Sequence, residues 1–453
     1  MNTRFKEYRA LVRLGIPVLI GQVGLTLQNL ADNVMVGQHS TRELAAAGFV
    51  NNMFVLALLL TIGYSMGAIS QIGALHAQLR PLQGEERQGM LHRMVAMLRS
   101  SIRANLLQGL LMCVALVGLY FALPYMGQPE ELLPLMRPYL IIQILSLPFM
   151  ATTNAFKQFT DSVNDTAVAM SIMLVGNVWN VVGNYLLIFG HCGLPEMGIT
   201  GAALATASSR LVILLLSVGV FFLRPAYREY VRHWRTARAN HPDMLKLNRL
   251  GWPIAIQMGL ETASFTIVAI FLGWMGTTVL AAHQVMLSIT NLIFMFYLGV
   301  ATAVAIRVSH YNGRADMHGV RRAAFCGWQI IFCLGILLSI TAYLLRHHIA
   351  TLFTPDPSVS AVVATLVWPL ILYQLGDGIQ VTFVNALRGL GDVRCLMRYS
   401  FVAYIVVSLP LSYLMGVELG WGAFGVWMGF PFGLTTAAAL FLRRFLHTSK
   451  PRA

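Results

Sequence analysis

The sequence predicts an all-α integral membrane protein with twelve transmembrane helices in two six-helix lobes, and three observations support this fold class. Hydrophobic residues make up 57% of the 453 residues and charged residues only 11%. A soluble domain, in contrast, is about 45 to 50% apolar and about 25% charged. Apolar runs long enough to cross a bilayer recur along the whole chain, and the second half repeats a pattern of the first.

Apolar runs separated by Gly, Pro or charged clusters mark the twelve predicted spans. They cover residues 12–36, 45–75, 94–123, 134–157, 166–190, 197–222, 247–272, 281–308, 322–345, 359–385, 398–416 and 421–442. The connections between them are short, which excludes soluble domains of any size. No small-residue cleavage site follows the first apolar stretch, so we interpret it as a retained span.

The net charge of +14 agrees with a membrane topology. If the N-terminus is cytoplasmic, nearly all of the 32 Lys and Arg residues fall in inner segments. The outer segments keep only Arg42, Arg137 and Arg346, and Arg210 lies within a span. Inward-facing Lys and Arg set the orientation of a membrane protein and contact anionic lipid. We therefore predict cytoplasmic termini and contact with membrane lipid, and no nucleic-acid partner.

An internal repeat divides the chain into two halves. The pattern Arg-Leu-Gly-X-Pro occurs at residues 13–17 and again at 249–253, an offset of 236 residues. Because each half has an even number of spans, the halves share one orientation, a layout typical of alternating-access transporters. The predicted domains are an N-lobe at 1–222 (helices 1–6), a cytoplasmic linker at 223–246, and a C-lobe with a cytoplasmic tail at 247–453 (helices 7–12).

Three carboxylates, Asp32, Glu261 and Asp377, lie well inside the predicted spans. An ionisable group at membrane depth costs about 2.5 to 3.5 kcal/mol even on a lenient scale, so it usually faces a cavity or an ion pathway. A protonated carboxyl buried for packing is the alternative. We predict that these residues bind or couple to a cation. Carboxylate oxygens suit Na⁺ at Glu261 and Asp377, and the same groups can carry H⁺.

Further polar and aromatic residues within the spans mark a candidate substrate cavity. The candidates are Gln22, Asn33, Asn180, Asn184, Gln284 and Tyr373. Asn180 and Asn184 lie one turn apart on the same face of a helix. Amides of this kind also bond neighbouring helices, and an aromatic ring either packs or stacks on an organic cation.

The sequence contains none of the motifs that would indicate an enzyme or an ATP-driven pump. It has no Walker loop, no GxSxG elbow and no HExxH pair, and its five cysteines occur singly. We therefore predict a protein that is not an enzyme, has no cofactor and draws energy from an ion gradient.

Several motifs together resemble the NorM-like branch of the multidrug and toxic compound extrusion (MATE) family. They are Ala31-Asp32-Asn33-Val34-Met35-Val36-Gly37, Glu261 after Gly251-Trp252-Pro253, Arg307-Val308-Ser309, and residues 373–389 around Asp377. The resemblance covers nearly the whole chain. The chain departs from the family pattern around Glu261, where Gln257 and Thr262 make the helix more polar.

This resemblance implies a V-shaped bundle with the MATE/MOP-type fold, in the cytoplasmic (inner) membrane of a bacterium. It implies antiport that exports cationic or amphipathic drugs and dyes in exchange for Na⁺ or H⁺, by alternating access, and so contributes to antibiotic resistance. Residues Glu261 and Asp377 then form the cation site, and Asp32 takes part in first-lobe coupling. We expect a monomer.

A flippase of lipid-linked saccharides, from the same superfamily, stays the alternative function. Such a protein needs several Arg or Lys residues within the spans to meet a pyrophosphate group. Only Arg210 is an evident candidate, whereas three buried carboxylates suit cationic cargo.

Overall fold

The computed structural model describes residues 3–79, 81–126, 129–353 and 356–450, and the fold is 90% helical. In these ranges twelve helices are long and apolar enough to cross a membrane, which confirms the predicted number. We label them α1 to α12: Thr3–His39, Thr41–Leu79, Gly84–Tyr125, Leu133–Ser162, Thr166–Ile188, Gly198–Leu223, His241–Gly273, Thr277–Gly313, Met317–Leu345, Pro357–Leu390, Arg394–Glu418 and Gly422–Thr448. Residues 1–2 and 451–453, whose side of the membrane the charge pattern predicts, lie outside the described residues.

Several helices extend beyond the apolar runs that predict them. Helix α1 begins at Thr3 and α3 at Gly84, whereas the apolar runs begin near residues 12 and 94. Helix α10 ends at Leu390, five residues after the predicted span. The added turns contain charged residues, which lower hydropathy but have good helix propensity. Arg388 therefore lies inside α10 and not in the following loop.

Two helices are locally irregular. Helix α2 consists of the segments Thr41–Ser65 and Ala68–Leu79, separated by a turn. Helix α11 contains two stretches of π-helix, Phe401–Ser408 and Leu414–Glu418, on either side of Pro410. Stretches of π-helix often occur at functional sites, and they change which side chains of a helix face its neighbours.

Backbone contacts divide the chain into two compact units. The first unit is Ile20–Ala255, and the second unit combines the chain up to Leu19 with the chain from Ile256 onwards. Each boundary lies two residues after a repeat-related proline, Pro17 or Pro253. The units therefore differ from the predicted lobes. The part of α1 up to Leu19 is grouped with the second half of the repeat, and the part of α7 up to Ala255 is grouped with the first half.

The beginning of α1 is held in the second unit by a buried ion pair. Glu7 is 2% exposed. Arg307 of α8 donates from Nε to Glu7 Oε1 and from Nη2 to Glu7 Oε2, both at 2.8 Å, and the Tyr311 hydroxyl donates to the same Oε2 at 2.7 Å. A bidentate pair of this kind fixes the relative orientation of the two helices.

The predicted linker packs against the first unit. Tyr227 and Tyr230 join a buried aromatic cluster with Phe159 of α4, and Tyr230 lies in a short helix, Arg228–Arg232. Arg99 Nη1 of α3 donates to the carbonyl oxygens of Trp234 and Ala237, at 2.7 and 2.6 Å. Burial raises the pKa of Tyr230 to about 12, so its hydroxyl is neutral at physiological pH.

Candidate functional site

Three side chains of the second unit form a hydrogen-bonded chain around Glu261. Gln257 lies one turn before Glu261 on α7 and donates from Nε2 to Glu261 Oε2 at 2.9 Å. Arg388, at the end of α10, donates from Nη2 to Gln257 Oε1 at 2.6 Å. The guanidinium also interacts electrostatically with the Glu261 carboxylate. The polar departure from the family pattern at Gln257 therefore connects a buried cation to a buried carboxylate.

Asp377 of α10 is the second carboxylate of this cluster. Its side chain is 1% exposed, and neither carboxylate oxygen has a hydrogen-bond partner among the residues that the structure describes. Asp377 also interacts electrostatically with Glu261. Leaving a buried carboxylate ionised and unpaired is costly.

Tyrosine side chains surround the two carboxylates. Tyr297 of α8 and Tyr373 of α10 both interact with Asp377, and Tyr404 lies beside Glu261. Within the described part of the chain, the Tyr297 hydroxyl has no hydrogen-bond partner. Tyr404 belongs to the first π-helical stretch of α11. The cluster thus has neutral oxygen atoms available beside two carboxylates.

In the first unit, Asp32 of α1 has a direct hydrogen-bond partner. Asn184 of α5 donates from Nδ2 to Asp32 Oδ1 at 2.5 Å, and the same nitrogen lies 3.4 Å from Asn180 Oδ1. Asn180 in turn donates to Thr206 Oγ1 of α6 at 3.2 Å. Both asparagines are 0% exposed. The one-turn spacing of Asn180 and Asn184 therefore places them in a single polar network with Asp32.

Arg210 of α6 adds a positive charge to this network. Its Nη1 donates to Gln143 Oε1 at 2.9 Å and to Ser146 Oγ at 2.5 Å, both on α4. The guanidinium lies 5.3 Å from the centre of the Phe54 ring and interacts electrostatically with Asp32. Arg210, which the sequence places within a span, is thus a charge partner of Asp32.

A cavity of ≈ 290 Å³ lies within the first unit. Its polar lining includes Gln22, Gln28, Asn29, Asn154, Lys157, Thr206 and Arg210, and its apolar lining includes Leu25, Met150, Phe156, Met173 and Ile213. Among the lining residues that the structure describes, Lys157 and Arg210 are the only charged ones. Lys157 Nζ pairs with Asp161 Oδ2 at 3.0 Å.

The structure separates the predicted substrate-cavity residues into three groups. Gln22 lines the cavity, and Asn180 contacts its lining residue Thr206. Tyr373 instead lies in the carboxylate cluster of the second unit, where its ring packs against Phe265 and Phe430. Asn33 and Gln284 are exposed, and neither is among the described lining residues of the cavity.

These clusters also contain residues that were not among the predicted site residues, including Gln257, Arg388, Tyr404 and Thr206. Arg388 follows the apolar run of α10 and therefore resembles a loop arginine in sequence. Its spacing, three residues after Asn385 on a helix that continues to Leu390, is the signal that could have placed it inside. Tyr404 and Thr206 occur in ordinary apolar runs and carry no comparable signal.

Solved structures identify this fold as that of the MATE and MOP-superfamily transporters. A crystal structure of a MATE transporter from Vibrio cholerae, a mutant of VcmN, matches with a TM-score of 0.86 at 18% identity and covers 99% of both chains. A multidrug resistance MATE family transporter, described as outward-facing, matches with a TM-score of 0.84 at 22% identity. It covers 98% of this chain and 97% of its own.

The chain belongs to the MatE family, whose model matches residues 17–186 and 253–414. Among similar proteins, "Multidrug resistance protein NorM" of Vibrio cholerae is 30% identical over 457 residues, covering 99% of this chain and 97% of the relative. The protein of the same name from Aliivibrio fischeri is 28% identical over 451 residues, covering 98% and 96%. These matches confirm the family that the sequence motifs predict, including its NorM-like branch.

Proposed function

We propose that this chain is a multidrug efflux antiporter of the bacterial cytoplasmic membrane. It exports cationic and amphipathic organic compounds in exchange for Na⁺ or H⁺ by alternating access. The observation that carries the proposal is the buried pair of carboxylates, Glu261 and Asp377, because Asp377 has no hydrogen-bond partner in the described chain. The names of the relatives, multidrug resistance proteins, support drug export.

The second-unit cluster is proposed as the ion site. A proton or Na⁺ that enters from outside neutralises Asp377, and this favours the state that releases drug outward. Binding of drug from inside favours the opposite state. The two ligands therefore compete through the conformational equilibrium, and each weakens the binding of the other. Asp32, with Asn184 and Arg210, is proposed as the coupling group of the first unit.

The cavity of the first unit is proposed as part of the drug site. Its lining of amides and apolar side chains suits a planar organic compound, because apolar contacts supply affinity and a few polar groups fix orientation. Its two basic residues already have partners, Asp161 for Lys157 and Gln143 and Ser146 for Arg210. Asn33, Gln284 and Tyr373 stay proposed substrate contacts outside this cavity.

The remaining features follow from the charge pattern and the family. We propose that both termini are cytoplasmic, because nearly all Lys and Arg residues then lie on the inner side. The working unit is proposed as a monomer in membrane lipid. Its only required small ligands are the organic cation drug or dye and the coupling ion, with no cofactor.

The test is ethidium efflux from energised cells that express the parent chain, Glu261→Gln or Asp377→Asn at matched levels. Na⁺ and proton gradients are varied separately. Glu86→Gln, which alters an exposed carboxylate in the first turn of α3, is the matched control. We expect efflux in the parent and in the control. Both site variants should lose most of it, since an allosteric coupling of this kind is typically worth about 5- to 150-fold.

The outcome also separates the two candidate functions. The gradient on which parental efflux depends identifies the coupling ion. If the parent exports no organic cation under either gradient, the antiporter proposal is wrong, and translocation of a lipid-linked saccharide becomes the activity to measure. If the two site variants export as well as the parent, the proposed roles of Glu261 and Asp377 are wrong.

A further inference from the structure

A buried arginine lies beside the two carboxylates of the second unit. Arg388 is 5% exposed, and its guanidinium donates to Gln257, which itself donates to Glu261. Arg388 Nη1 also donates to Asn385 Oδ1 at 3.3 Å. The positive charge of Arg388 and the negative charge of Glu261 are thus linked through the side-chain amide of Gln257. The two hydrogen bonds of this link, at 2.6 and 2.9 Å, leave no space for an ion between their atoms.

The charges of this cluster can be counted. An arginine stays protonated in proteins. Among the described residues, the other titratable groups that face Glu261 and Asp377 are the phenols of Tyr297, Tyr373 and Tyr404, which are neutral at physiological pH. With both carboxylates ionised, the cluster therefore carries one net negative charge. A single proton or a single monovalent cation makes it neutral.

The two carboxylates are not equivalent in this arrangement. Glu261 has a fixed link to Arg388 through Gln257, whereas both oxygens of Asp377 lack a hydrogen-bond partner in the described part of the chain. Because a buried charge is tolerated only when it is paired, the uncompensated charge falls on Asp377. Asp377 is then the carboxylate that binds and releases a positive charge, whereas Glu261 keeps Arg388 as its permanent counter-charge.

We propose that Arg388 is an internal counter-cation that limits the second-unit site to one exchangeable positive charge, a proton or a monovalent cation, per chain. The inference rests on the proposed exchange of Na⁺ or H⁺ at this site, and it adds the capacity of the site and the residue that sets it. Arg388 acts through Gln257 and is a positioning residue. Without its charge, the same two carboxylates would take two positive charges.

The test counts exchangeable charges on the purified full-length chain in detergent. Two probes are used separately: ²²Na⁺ bound at alkaline pH, and protons taken up in a Na⁺-free acid titration. All variants carry Asp32→Asn, so that the first-unit carboxylate does not contribute. In this background we expect one charge at the cluster, two in Arg388→Gln, and one in the matched control Arg388→Lys, which keeps the positive charge.

Removing one carboxylate gives a second and sharper comparison. Glu261→Gln removes one negative charge, so Arg388 and the ionised Asp377 already sum to zero and the count should fall from one to zero although Asp377 is intact. Adding Arg388→Gln to Glu261→Gln should restore a count of one. A merely structural arginine would not produce this rescue, because its removal would not change how many charges the remaining carboxylate accepts.

Two results would overturn the proposal. One is an equal count in the parent background and in Arg388→Gln, with both proteins monodisperse. The other is a count of one in Glu261→Gln alone, a measurement that does not require any Arg388 variant to fold. Failure of the antiporter proposal is distinguishable, because a chain can bind one charge per site in detergent while exporting no ethidium from cells.

Discussion

The two halves of the repeat treat their buried carboxylates differently. In the first unit, Asp32 accepts a hydrogen bond directly from Asn184 and has Arg210 as a nearby cation. In the second unit, Asp377 has no hydrogen-bond partner among the described residues, and the cation of that cluster, Arg388, is directed to Gln257 and Glu261. Each half has six membrane-spanning helices, and the two clusters differ in which polar side chains surround the carboxylate.

One repeat position shows how small the change is. In the later part of each half the repeat offset is 231 residues, which aligns Asn154-Ala155 with Asn385-Ala386 and makes Ser146 equivalent to Asp377. The Ser146 hydroxyl accepts a hydrogen bond from Arg210, which completes a fixed network. A carboxylate at the same place introduces a charge that needs a partner. The comparison teaches that single polar replacements in a duplicated scaffold can leave the carboxylate of one half hydrogen-bonded and that of the other half without a hydrogen-bond partner in the described chain.

The largest expected effect comes from breaking the fixed network. Arg210→Met removes the charge near Asp32 and the donor to Gln143 and Ser146. Taking one partner from a buried ionic network costs about 3 to 5 kcal/mol, because the remaining charge and polar atoms stay buried. We expect a clearly lower midpoint of thermal unfolding in detergent, followed by the loss of monodisperse protein on size-exclusion chromatography.

Arg235→Met, which alters an exposed arginine in the linker, is the control for this variant. It should unfold at the temperature of the parent, because an exposed charge contributes little to stability. Equal midpoints for Arg210→Met and Arg235→Met would mean that the first-unit network does not stabilise the fold.

A smaller change in the free energy of unfolding, of opposite sign in the two halves, is expected when a buried aspartate is replaced by leucine in each half. Asp32→Leu leaves the Asn184 amide without its acceptor and Arg210 without its nearby carboxylate, which lowers the free energy of unfolding by about 2 kcal/mol. Asp377→Leu removes a buried carboxylate that has no hydrogen-bond partner in the described chain, which raises stability by about 1 kcal/mol.

Thermal unfolding of the two leucine variants in the same detergent checks this pair. The Glu86→Gln variant serves again as the neutral reference. A shift in the same direction for both leucine variants would contradict the distinction between a fixed and an exchanging carboxylate. The stabilised Asp377→Leu variant should also lose efflux, as expected where an active site is kept at a cost in stability.

The fold was predictable because a bilayer imposes strong constraints on sequence. A span needs about 20 apolar residues, so the twelve helices are evident from hydropathy alone. The predicted ends were less accurate at α1, α3 and α10, because helical turns outside the apolar core contain charged residues such as Arg388. The exchange of the first turns of α1 and α7 between units depends on tertiary contacts, which no local pattern encodes.

The candidate site was predictable only where a residue type was unusual for its surroundings. Asp32, Glu261 and Asp377 stand out because carboxylates are rare within apolar spans. Thr206 and Tyr404 are common residue types in membrane helices, so their contacts with Asn180 and Glu261 appear only after folding. Tyr404 also lies on a π-helical stretch, where the regular helical spacing used to assign faces does not apply.

The smallest expected difference between the two halves tests whether equivalent glycines of the repeat are equally constrained. In the second unit, a Cβ on Gly15 would lie 3.1 Å from the carbonyl oxygen of Gly299. In the first unit, a Cβ on Gly251 would lie only 2.6 Å from the carbonyl oxygen of Tyr64. A Cβ on the neighbouring Gly67 would lie 2.8 Å from the amide nitrogen of Gly251. Backbone atoms have little freedom to move away, so the Gly251 site is the tighter one.

We therefore expect Gly251→Ala to lower the free energy of unfolding by about 2 kcal/mol and Gly15→Ala by about 1 kcal/mol, as is typical of overpacking. Gly118→Ala in α3 is the matched control, because a Cβ there meets no atom within 4 Å, and alanine has the higher helix propensity. Thermal unfolding in detergent measures all three. A loss at Gly15 as large as that at Gly251 would mean that the duplicated contact is equally close in both halves, and the difference between the halves would then be confined to their polar side chains.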